Sequence, residues 1–221
     1  MHFKESIPKY GLVLFAYFRS SSSWRVRTIL NLKNISYTII PVNLLKGEQN
    51  SKEYAEINPL GAVPCLRSDG EYLAESMAIA EYLEERFPDN PCKLLPIDLI
   101  QRARVREICE AINAGMQPLQ NLRVLNAIDS QFKGDRIQWA KQWNDAGFAT
   151  LDKLLAQTKG KHAVGDQITL ADVFIFPQFV NAVARFKIDP LAYPNVKEVV
   201  DNVRENEAFV KGLPENQPDF Q

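Results

Sequence analysis

The sequence has few of the side chains that build metal sites or disulfide frameworks. Its two histidines, His2 and His162, are too few for a histidine-built metal site, and no Cys-x-x-C pair replaces them. The three cysteines, Cys65, Cys92 and Cys109, are odd in number and widely spaced, which argues against a disulfide framework and fits a reducing compartment. These absences argue against metal and disulfide chemistry, and we expect no bound metal.

The sequence also lacks an excess of either charge. Lys and Arg together number 26, Asp and Glu number 27, and the net charge is −1, so no sustained positive field is available for nucleic acid. No segment approaches the ~20 consecutive apolar residues that span a bilayer. The apolar run Leu12–Phe18 is followed by Arg19 without a small-residue cleavage site, unlike a signal peptide. We therefore expect a cytoplasmic protein that binds neither nucleic acid nor membrane, although a local basic pocket for a small anion remains possible.

The first ninety residues mix strand and helix patterns. A helix is predicted from Trp24 to Leu32, because Val26, Ile29 and Leu30 share one face. Ser68-Asp69-Gly70 is typical of a hairpin turn between the last two strands. Strands are predicted where apolar β-formers concentrate, at Leu12–Phe18, Tyr37–Val42, Val63–Arg67 and Glu71–Ala74.

Beyond a linker punctuated by Pro88, Pro91 and Pro96, the pattern is helical throughout. The stretch from Thr169 to Asp172 has the form of a helix capping box. The sequence therefore predicts an α/β domain over residues 10–90 and an all-α domain over residues 97–212. The segment after Pro214 is predicted to be flexible.

A run of four serines, Ser20–Ser23, lies where the first strand ends and the first helix begins. A helix N-terminus favours an anion, and a serine hydroxyl there can donate to a thiolate or carboxylate. The alternative is that one serine caps the helix and the others are solvated. No G-x-S-x-G motif is present, and two scattered histidines argue against a serine-hydrolase triad. The serines therefore fit a nucleophile that arrives from elsewhere.

Two dipeptides of the same domain also fit ligand binding. Val63-Pro64 precedes a predicted strand, and a cis bond there would turn the Val63 backbone outward toward a peptide-like ligand. Because only about 5–6% of X-Pro bonds are cis, local sequence alone favours trans. Glu75-Ser76 follows a strand and could bind an ammonium and a carboxylate group, or simply form a capped helix start after a surface Glu.

Together these motifs resemble the zeta class of glutathione transferases over nearly the whole chain. The resemblance implies a thioredoxin-like N-terminal domain, a helical C-terminal domain, a cis Val63-Pro64 bond, glutathione as cofactor and a homodimer. The motifs that carry it, in collinear order, are Ser20–Ser23, Trp24-Arg-Val-Arg27, Asn58–Pro64, Glu75-Ser76, Gly115–Leu122, Val164–Asp172 and Asn181–Asp189.

The resemblance also implies a role for each site residue. Ser20 would hold the glutathione thiolate with help from Ser21, and Ser22 would be a further contact to the cofactor. Val63 would pair with the cysteinyl backbone of glutathione. The remaining cofactor contacts would come from Glu75 and Ser76 for the γ-glutamyl end, from Gln49 for the glycyl end, and from Gln117, Asn121 and Arg123 of the helical domain. Arg19, Arg25 and Arg185 are candidates for substrate carboxylates, which suit the planar fork of arginine.

The implied activity is the cis–trans isomerisation of a small dicarboxylic diketo acid, 4-maleylacetoacetate, in tyrosine and phenylalanine breakdown. The alternatives are isomerisation of maleylpyruvate, general glutathione transfer or α-haloacid dehalogenation, and a non-catalytic scaffold of the same fold. One position departs from the family, which commonly has cysteine where this chain has Ser22. That departure argues against disulfide-exchange chemistry and leaves isomerisation open, because there the attacking sulfur belongs to glutathione.

Overall fold

The structure is a computed structural model that describes Phe3 and residues 6–221, so His2 lies outside the described part. It divides the chain into two compact units. The first comprises the residues up to Cys92 together with Asn206–Gln221, and the second comprises Lys93–Glu205. The sequence-based boundaries of 10–90 and 97–212 differ from this division mainly at residues 206–212, which cluster with the first unit.

The first unit contains a four-stranded mixed sheet and begins with a β-α-β crossover. The strand order is β2-β1-β3-β4, with β1 and β2 parallel and the other neighbours antiparallel. Its elements up to residue 86 are β1 (Leu12–Ala16), α1 (Ser21–Leu32), β2 (Tyr37–Pro41), α2 (Lys52–Ile57), β3 (Cys65–Ser68), β4 (Glu71–Ala74) and α3 (Ser76–Arg86).

The predicted hairpin between β3 and β4 is confirmed. Its turn residues Asp69 and Gly70 have φ of 51° and 92°, the left-handed conformations that a two-residue hairpin loop requires. The strand β3 begins at Cys65 rather than at Val63, and Pro64 between them has no N–H to donate to a sheet ladder.

The core of the first unit lies against β1, which is buried on both faces. Val13, Leu14 and Phe15 are all fully buried, as expected for an inner strand covered on both sides. On one face Phe3 packs with Phe15 and Tyr54, with ring centroids 5.6–6.4 Å apart. Burial of these aromatic rings supplies much of the hydrophobic stabilisation of the unit.

The second unit is entirely helical. Its longest buried helix, α7, is apolar on nearly every side, and its N-terminus is closed by Asp172, whose Oδ2 accepts a hydrogen bond from the Thr169 amide at 2.8 Å. The capping box predicted from the sequence is therefore confirmed. The helices are α4 (Leu99–Asn113), α5 (Leu122–Ser130), α6 (Arg136–Thr158), α7 (Leu170–Phe186) and α8 (Pro194–Val203).

After α8 the chain returns to the first unit and forms α9 (Glu207–Gly212), which packs against α1. The packing is close: a Cβ on Gly212 would lie 2.8 Å from both Thr28 Oγ1 and Trp24 Nε1, so this position requires glycine. Within the described part of the chain, no helix has the length and apolarity needed to cross a bilayer. Nor do Phe3 and residues 6–221 contain a group of three or more His, Cys, Asp or Glu side chains arranged to hold a metal ion.

Candidate active site

The sheet register brings four strand ends to one edge. Ala16, the last residue of β1, is opposite Pro41, the last residue of β2. Phe15 is opposite Cys65, the first residue of β3, and Cys65 is opposite Ala74, the last residue of β4. The ends of β1, β2 and β4 therefore meet the start of β3 along one side of the sheet, which we call the site edge.

Most of the site residues predicted for the first unit lie in segments that precede or follow the strands at the site edge. The chain that leaves β2 continues toward Gln49. The other three segments lie beside strand ends, two of them directly and the serine turn after residues 17–19. They are the serine turn Ser20–Ser23 after β1, Val63-Pro64 before β3, and Glu75-Ser76 after β4. The topology therefore places segments that are distant in sequence next to one another.

The serine turn is held by its own hydrogen bonds. Ser20 is the N-cap of α1, and its Oγ accepts from the Ser23 amide at 3.1 Å. The Ser20 amide donates to the Tyr17 carbonyl at 3.0 Å, and Ser23 Oγ accepts from the Tyr17 amide at 3.5 Å. The capping role considered as an alternative for one serine is thus performed by Ser20 itself.

Capping leaves the Ser20 hydroxyl hydrogen able to donate, because a serine hydroxyl has two lone pairs and one hydrogen, and the cap uses a lone pair. The first amides of α1 have no intrahelical acceptor, and the helix end carries about half a positive charge. Ser20 and Ser22 are half-buried and Ser21 is buried. The turn therefore combines a hydroxyl donor with a positive field, which is the chemistry that holds an anionic sulfur.

Arg25 lies in the interior rather than at the surface. Its side chain is fully buried, and its Nη1 donates to Ser76 Oγ at 3.0 Å, so it connects α1 to the start of α3. A buried side chain that donates to Ser76 does not fit the substrate-binding role that the sequence had suggested for Arg25. The motif had suggested a carboxylate ligand because arginine pairs with anions, but the local pattern contains no information on which way the side chain points.

Glu75 is the N-cap residue of α3 and has an unusual backbone. Its φ of 68° and ψ of 119° lie where non-glycine residues are rare, and such conformations concentrate at functional sites. The side chain is exposed, whereas the adjacent Ser76 is 2% exposed and accepts the Arg25 bond. The pair thus presents a carboxylate and a hydroxyl at the positive end of α3.

The Val63-Pro64 bond is cis, as the family resemblance implied and local frequency did not. The loop before it is held by Ala62, whose carbonyl accepts from Tyr54 Oη and from Asn58 Nδ2, both at 2.8 Å. Burial raises the pKa of the Tyr54 hydroxyl, which therefore stays protonated and keeps donating. Val63 is half-buried, and its backbone lies at the site edge.

Gln49 lies in a short 3₁₀ turn, Glu48–Asn50, beyond β2. The turn begins after Gly47, whose φ is 73°, and Glu48 Oε2 accepts from the Asn43 amide at 2.6 Å. The amide oxygen of Gln49 is buried and has no hydrogen-bond partner among the described residues. A peptide-like ligand would supply the missing N–H, so this oxygen favours a ligand at this position.

Of the remaining predicted site residues, all but Arg19 belong to the second unit. Gln117 begins a 3₁₀ turn, Gln117–Gln120, and Asn121 caps α5 by accepting from the Arg123 amide at 3.2 Å. Arg123 is exposed, as is Arg185 in the last turn of α7, where its guanidinium lies 5.0 Å from the Phe186 ring centroid. In the first unit Arg19 is likewise exposed and stacks at 5.8 Å over Phe18.

Beneath the Gln117–Gln120 turn lies a closed ring of three buried amides. Gln120 Nε2 donates to Gln178 Oε1 at 3.0 Å, Gln178 Nε2 donates to Asn144 Oδ1 at 2.8 Å, and Asn144 Nδ2 donates to Gln120 Oε1 at 2.7 Å. We call this the amide ring. It fixes the turn to α6 and α7, and sequence reasoning missed it, although buried amides within apolar helix faces are a detectable signal.

None of the three thiols has the environment of a reactive cysteine. Burial raises the pKa of Cys65 to about 12 and also raises that of Cys92. Cys109 is fully buried on α4. A thiolate needs an accessible, electropositive setting, and the serine turn at the N-terminus of α1 offers one.

The mixed sheet with its site edge, followed by an all-helical unit, defines the thioredoxin-like plus helical architecture of glutathione transferases. Family models agree: "Glutathione S-transferase, N-terminal domain" matches residues 19–86 and "Glutathione S-transferase, C-terminal domain" matches residues 133–211. The chain belongs to the glutathione S-transferase family and, by its relatives, to the zeta class.

Similar proteins cover almost the whole chain. A "Probable maleylacetoacetate isomerase 2" of Drosophila melanogaster is 46% identical over 209 residues, which is 94% of this chain and 89% of that protein. The "Maleylacetoacetate isomerase" of Mus musculus is 44% identical over 94% of each chain. Among solved structures, maleylacetoacetate isomerase from Anaeromyxobacter dehalogenans with bound GSH has a TM-score of 0.86 at 40% identity, covering 96% of this chain and 98% of its own.

Proposed function

We propose that the protein is a glutathione-dependent cis–trans isomerase that converts 4-maleylacetoacetate to 4-fumarylacetoacetate in tyrosine and phenylalanine catabolism. The observation that carries the proposal is the site edge, where a capping serine at a helix N-terminus, the cis Val63-Pro64 loop and Glu75-Ser76 meet. Relatives named maleylacetoacetate isomerase at 44–46% identity specify the reaction.

The residues at the site edge fit the tripeptide cofactor. The Ser20 hydroxyl and the α1 amides suit a thiolate, and the unpartnered Gln49 oxygen suits a peptide N–H. We assign Ser20 and Ser21 to the sulfur, with Ser22 beside them. The other assigned contacts are the Val63 backbone for the cysteinyl group, Glu75 and Ser76 for the γ-glutamyl end, Gln49 for the glycyl end, and Gln117, Asn121 and Arg123 from the helical unit.

The protein must lower the order of a conjugated double bond before the bond can rotate. When bound, glutathione supplies a thiolate that adds reversibly to the alkene and is eliminated unchanged after rotation. Ser20 keeps the sulfur ionised by donating its hydroxyl hydrogen, because a hydrogen bond to the charged form lowers a thiol pKa. The α1 N-terminus adds a favourable field that needs no reorganisation during turnover.

Substrate carboxylates require cationic partners, and we assign this role to Arg19 and Arg185. Both guanidinium groups are exposed at their respective surfaces. Arg25 is reassigned: because it is buried and donates to Ser76 Oγ, it orients that hydroxyl rather than meeting substrate. A small dicarboxylic diketo acid, with one anionic group at each end, suits two separate arginines.

A second isomerisation is favoured by a specific neighbour. A bacterial maleyl pyruvate isomerase, described as a zeta-class transferase, has a TM-score of 0.90 at 34% identity over 95% of this chain and 100% of its own. Maleylpyruvate also carries two carboxylates, so the arginines suit either substrate. General glutathione transfer, α-haloacid dehalogenation and a non-catalytic scaffold role are the remaining alternatives.

The test is a spectrophotometric assay with maleylacetoacetate and maleylpyruvate, each with and without glutathione. The proposal expects turnover of maleylacetoacetate that requires glutathione without consuming it. Faster turnover of maleylpyruvate would favour the second isomerisation, and no turnover of either with intact glutathione binding would favour the scaffold. Activity without glutathione would contradict the mechanism.

The protein is further proposed to act in the cytoplasm as a homodimer. Support for the cytoplasm is the free state of all three cysteines, which fits a reducing compartment. Support for the dimer is the family membership alone, and sedimentation of the purified protein tests it directly.

A further inference from the structure

The turn that carries Ser20 depends on groups outside itself. Between the end of β1 at Ala16 and the cap at Ser20, the chain has no regular secondary structure. Three backbone groups of this turn bond to side chains beyond it. Phe18 N donates to Asp219 Oδ2 at 3.0 Å, and the carbonyls of Tyr17 and Phe18 accept from Arg27 at 3.3 and 3.0 Å.

Arg27 links this turn to the segment Asn206–Gln221, which we call the 206–221 segment. The guanidinium is 1% exposed, and its Nη2 donates both to Phe18 O and to Gly212 O, the latter at 3.1 Å. Its Nε adds a further bond to Gly212 O at 3.3 Å. Burial lowers the pKa of Arg27 to about 10, opposed by the fields of Tyr37 and Asp219, so the group remains a cation at neutral pH.

The 206–221 segment is itself well anchored near the turn. Gln217 is buried, and its Nε2 donates to the carbonyls of Lys211 and Leu213 at 2.9 and 2.8 Å. The Phe220 ring meets the Phe18 ring edge-on at 5.6 Å. The sequence predicts a flexible segment, whereas in the structure it has partners on both sides of Asp219. The Phe18 partner was not visible in local sequence because it lies about 200 residues away.

We propose that Asp219 and Arg27 are positioning residues that set the place of the Ser20 hydroxyl through the backbone of Tyr17 and Phe18. The proposal rests on the proposed function, since it concerns the same serine. Phe18 is two residues from Ser20, so a shift of its peptide moves the cap and the hydroxyl with it. A displacement of about 1 Å at a catalytic group can cost about 100-fold in rate. Both residues act through the backbone, since Asp219 accepts from Phe18 N and Arg27 donates to Tyr17 O and Phe18 O.

Hydrogen exchange measured by NMR on the protein without glutathione tests the contact itself. Asp219→Ala removes the acceptor of the Phe18 amide and should raise the exchange rate of that amide by about tenfold, as local opening becomes easier. Asp219→Asn keeps an acceptor oxygen, so the exchange rate of the Phe18 amide should stay within about threefold of that in the parent. Asn216→Ala is the matched control, because Asn216 bonds only within the segment, to Val210 O at 2.7 Å.

Titration of bound glutathione by its thiolate absorbance tests the consequence. Asp219→Ala should raise the thiol pKa by about half a unit and lower kcat about fivefold to tenfold, with the KM for glutathione nearly unchanged. A role limited to stability would lower the Tm and leave the thiol pKa in place. Should Asp219→Ala fail to fold, Phe220→Ala removes only a half-exposed ring contact and should shift the thiol pKa in the same direction by a smaller amount.

The outcomes separate the two proposals. If the parent neither binds glutathione nor isomerises the substrate, the proposed function fails. If the parent does both, and Asp219→Ala matches it in Phe18 exchange or in thiol pKa and kcat, the positioning role alone is overturned.

Discussion

Two short irregular segments carry proposed site residues, and they are held in different ways. The Tyr17–Ser20 turn is held by a buried cation and by a carboxylate 201 residues away from Phe18 in sequence. The Gln117–Gln120 turn is held by the amide ring, whose three members are all neutral. The difference is one of charge: Arg27 and Asp219 hold the turn of Ser20 with charged groups, whereas the amide ring fixes the turn of Gln117 with neutral ones.

The largest loss of activity is expected from a change at Ser20. Ser20→Ala removes the proposed donor to the sulfur and should cut kcat by about 10²–10³, the usual effect of losing one anion-stabilising donor. Gln117→Ala, in the neutral turn, should cost far less. Ser36→Ala is the control, because Ser36 is exposed and is not among the proposed site residues. Steady-state kinetics with unchanged rates for Ser20→Ala would remove Ser20 from the mechanism.

The amide ring predicts a large effect on stability rather than on chemistry. Gln178→Met keeps the side-chain length but leaves Gln120 Nε2 and Asn144 Oδ1 without these partners. Each buried unsatisfied group costs about 1–3 kcal/mol, so the loss of two partners should lower the free energy of unfolding by about 2–6 kcal/mol. Gln138→Met makes the same change at an exposed position of α6 and should be nearly neutral. Equal midpoints for both variants in urea unfolding would contradict the ring's role.

Alkaline pH should affect the first unit through Cys65, which borders the site edge. Its pKa is raised from 9.0 to about 12 by burial, so above pH 9 the unfolded state loses a proton that the folded state keeps. The contribution of this group to the free energy of unfolding is therefore complete below pH 9 and is lost as the pH rises toward 12. Between pH 9 and pH 10 the loss is about 1 kcal/mol.

The measurement is the free energy of unfolding of the parent and of Cys65→Ala between about pH 8 and pH 11, a range in which the unfolded thiol titrates and the folded thiol stays largely protonated. The variant should show a shallower decline. The amide ring carries no titratable group, so Gln178→Met should decline in parallel with the parent. Parallel curves for Cys65→Ala as well would show that folding does not change the pKa of the Cys65 thiol.

The smallest effect on isomerisation is expected from Ser22→Cys, which restores the residue common in the family. The introduced thiol would sit at the N-terminus of α1, where the helix field lowers a thiol pKa. Alkylation at neutral pH should be about tenfold faster than for free cysteine, while kcat for isomerisation stays within about twofold. The parent provides the comparison, because its Cys65 is buried and should not react.

Local chemistry explains which features the sequence predicts well. The Asp69-Gly70 turn, the Thr169–Asp172 capping box and the serine cap each depend on residues within four positions of one another. Such features follow from backbone preferences and short-range hydrogen bonds, which a single sequence displays directly.

Features that depend on distant partners were missed or misread. Arg25 was expected at the substrate, but its partner is Ser76, 51 residues away. The segment after Pro214 was predicted to be flexible. The contacts that hold it lie on Phe18, which is far away in the sequence. Side-chain direction and long-range pairing are set by the assembled core, so neither is visible in local composition.

The hydrogen bond from Phe18 to Asp219 also sets an order of events during synthesis. Translation proceeds at about 5–20 residues per second, so Asp219 is made about 10–40 s after Phe18. The sheet of the first unit has been translated long before then. The loop that positions Ser20 nevertheless remains without one of its anchors until Asp219 has been made, so an early-made part of the enzyme is among the last to mature.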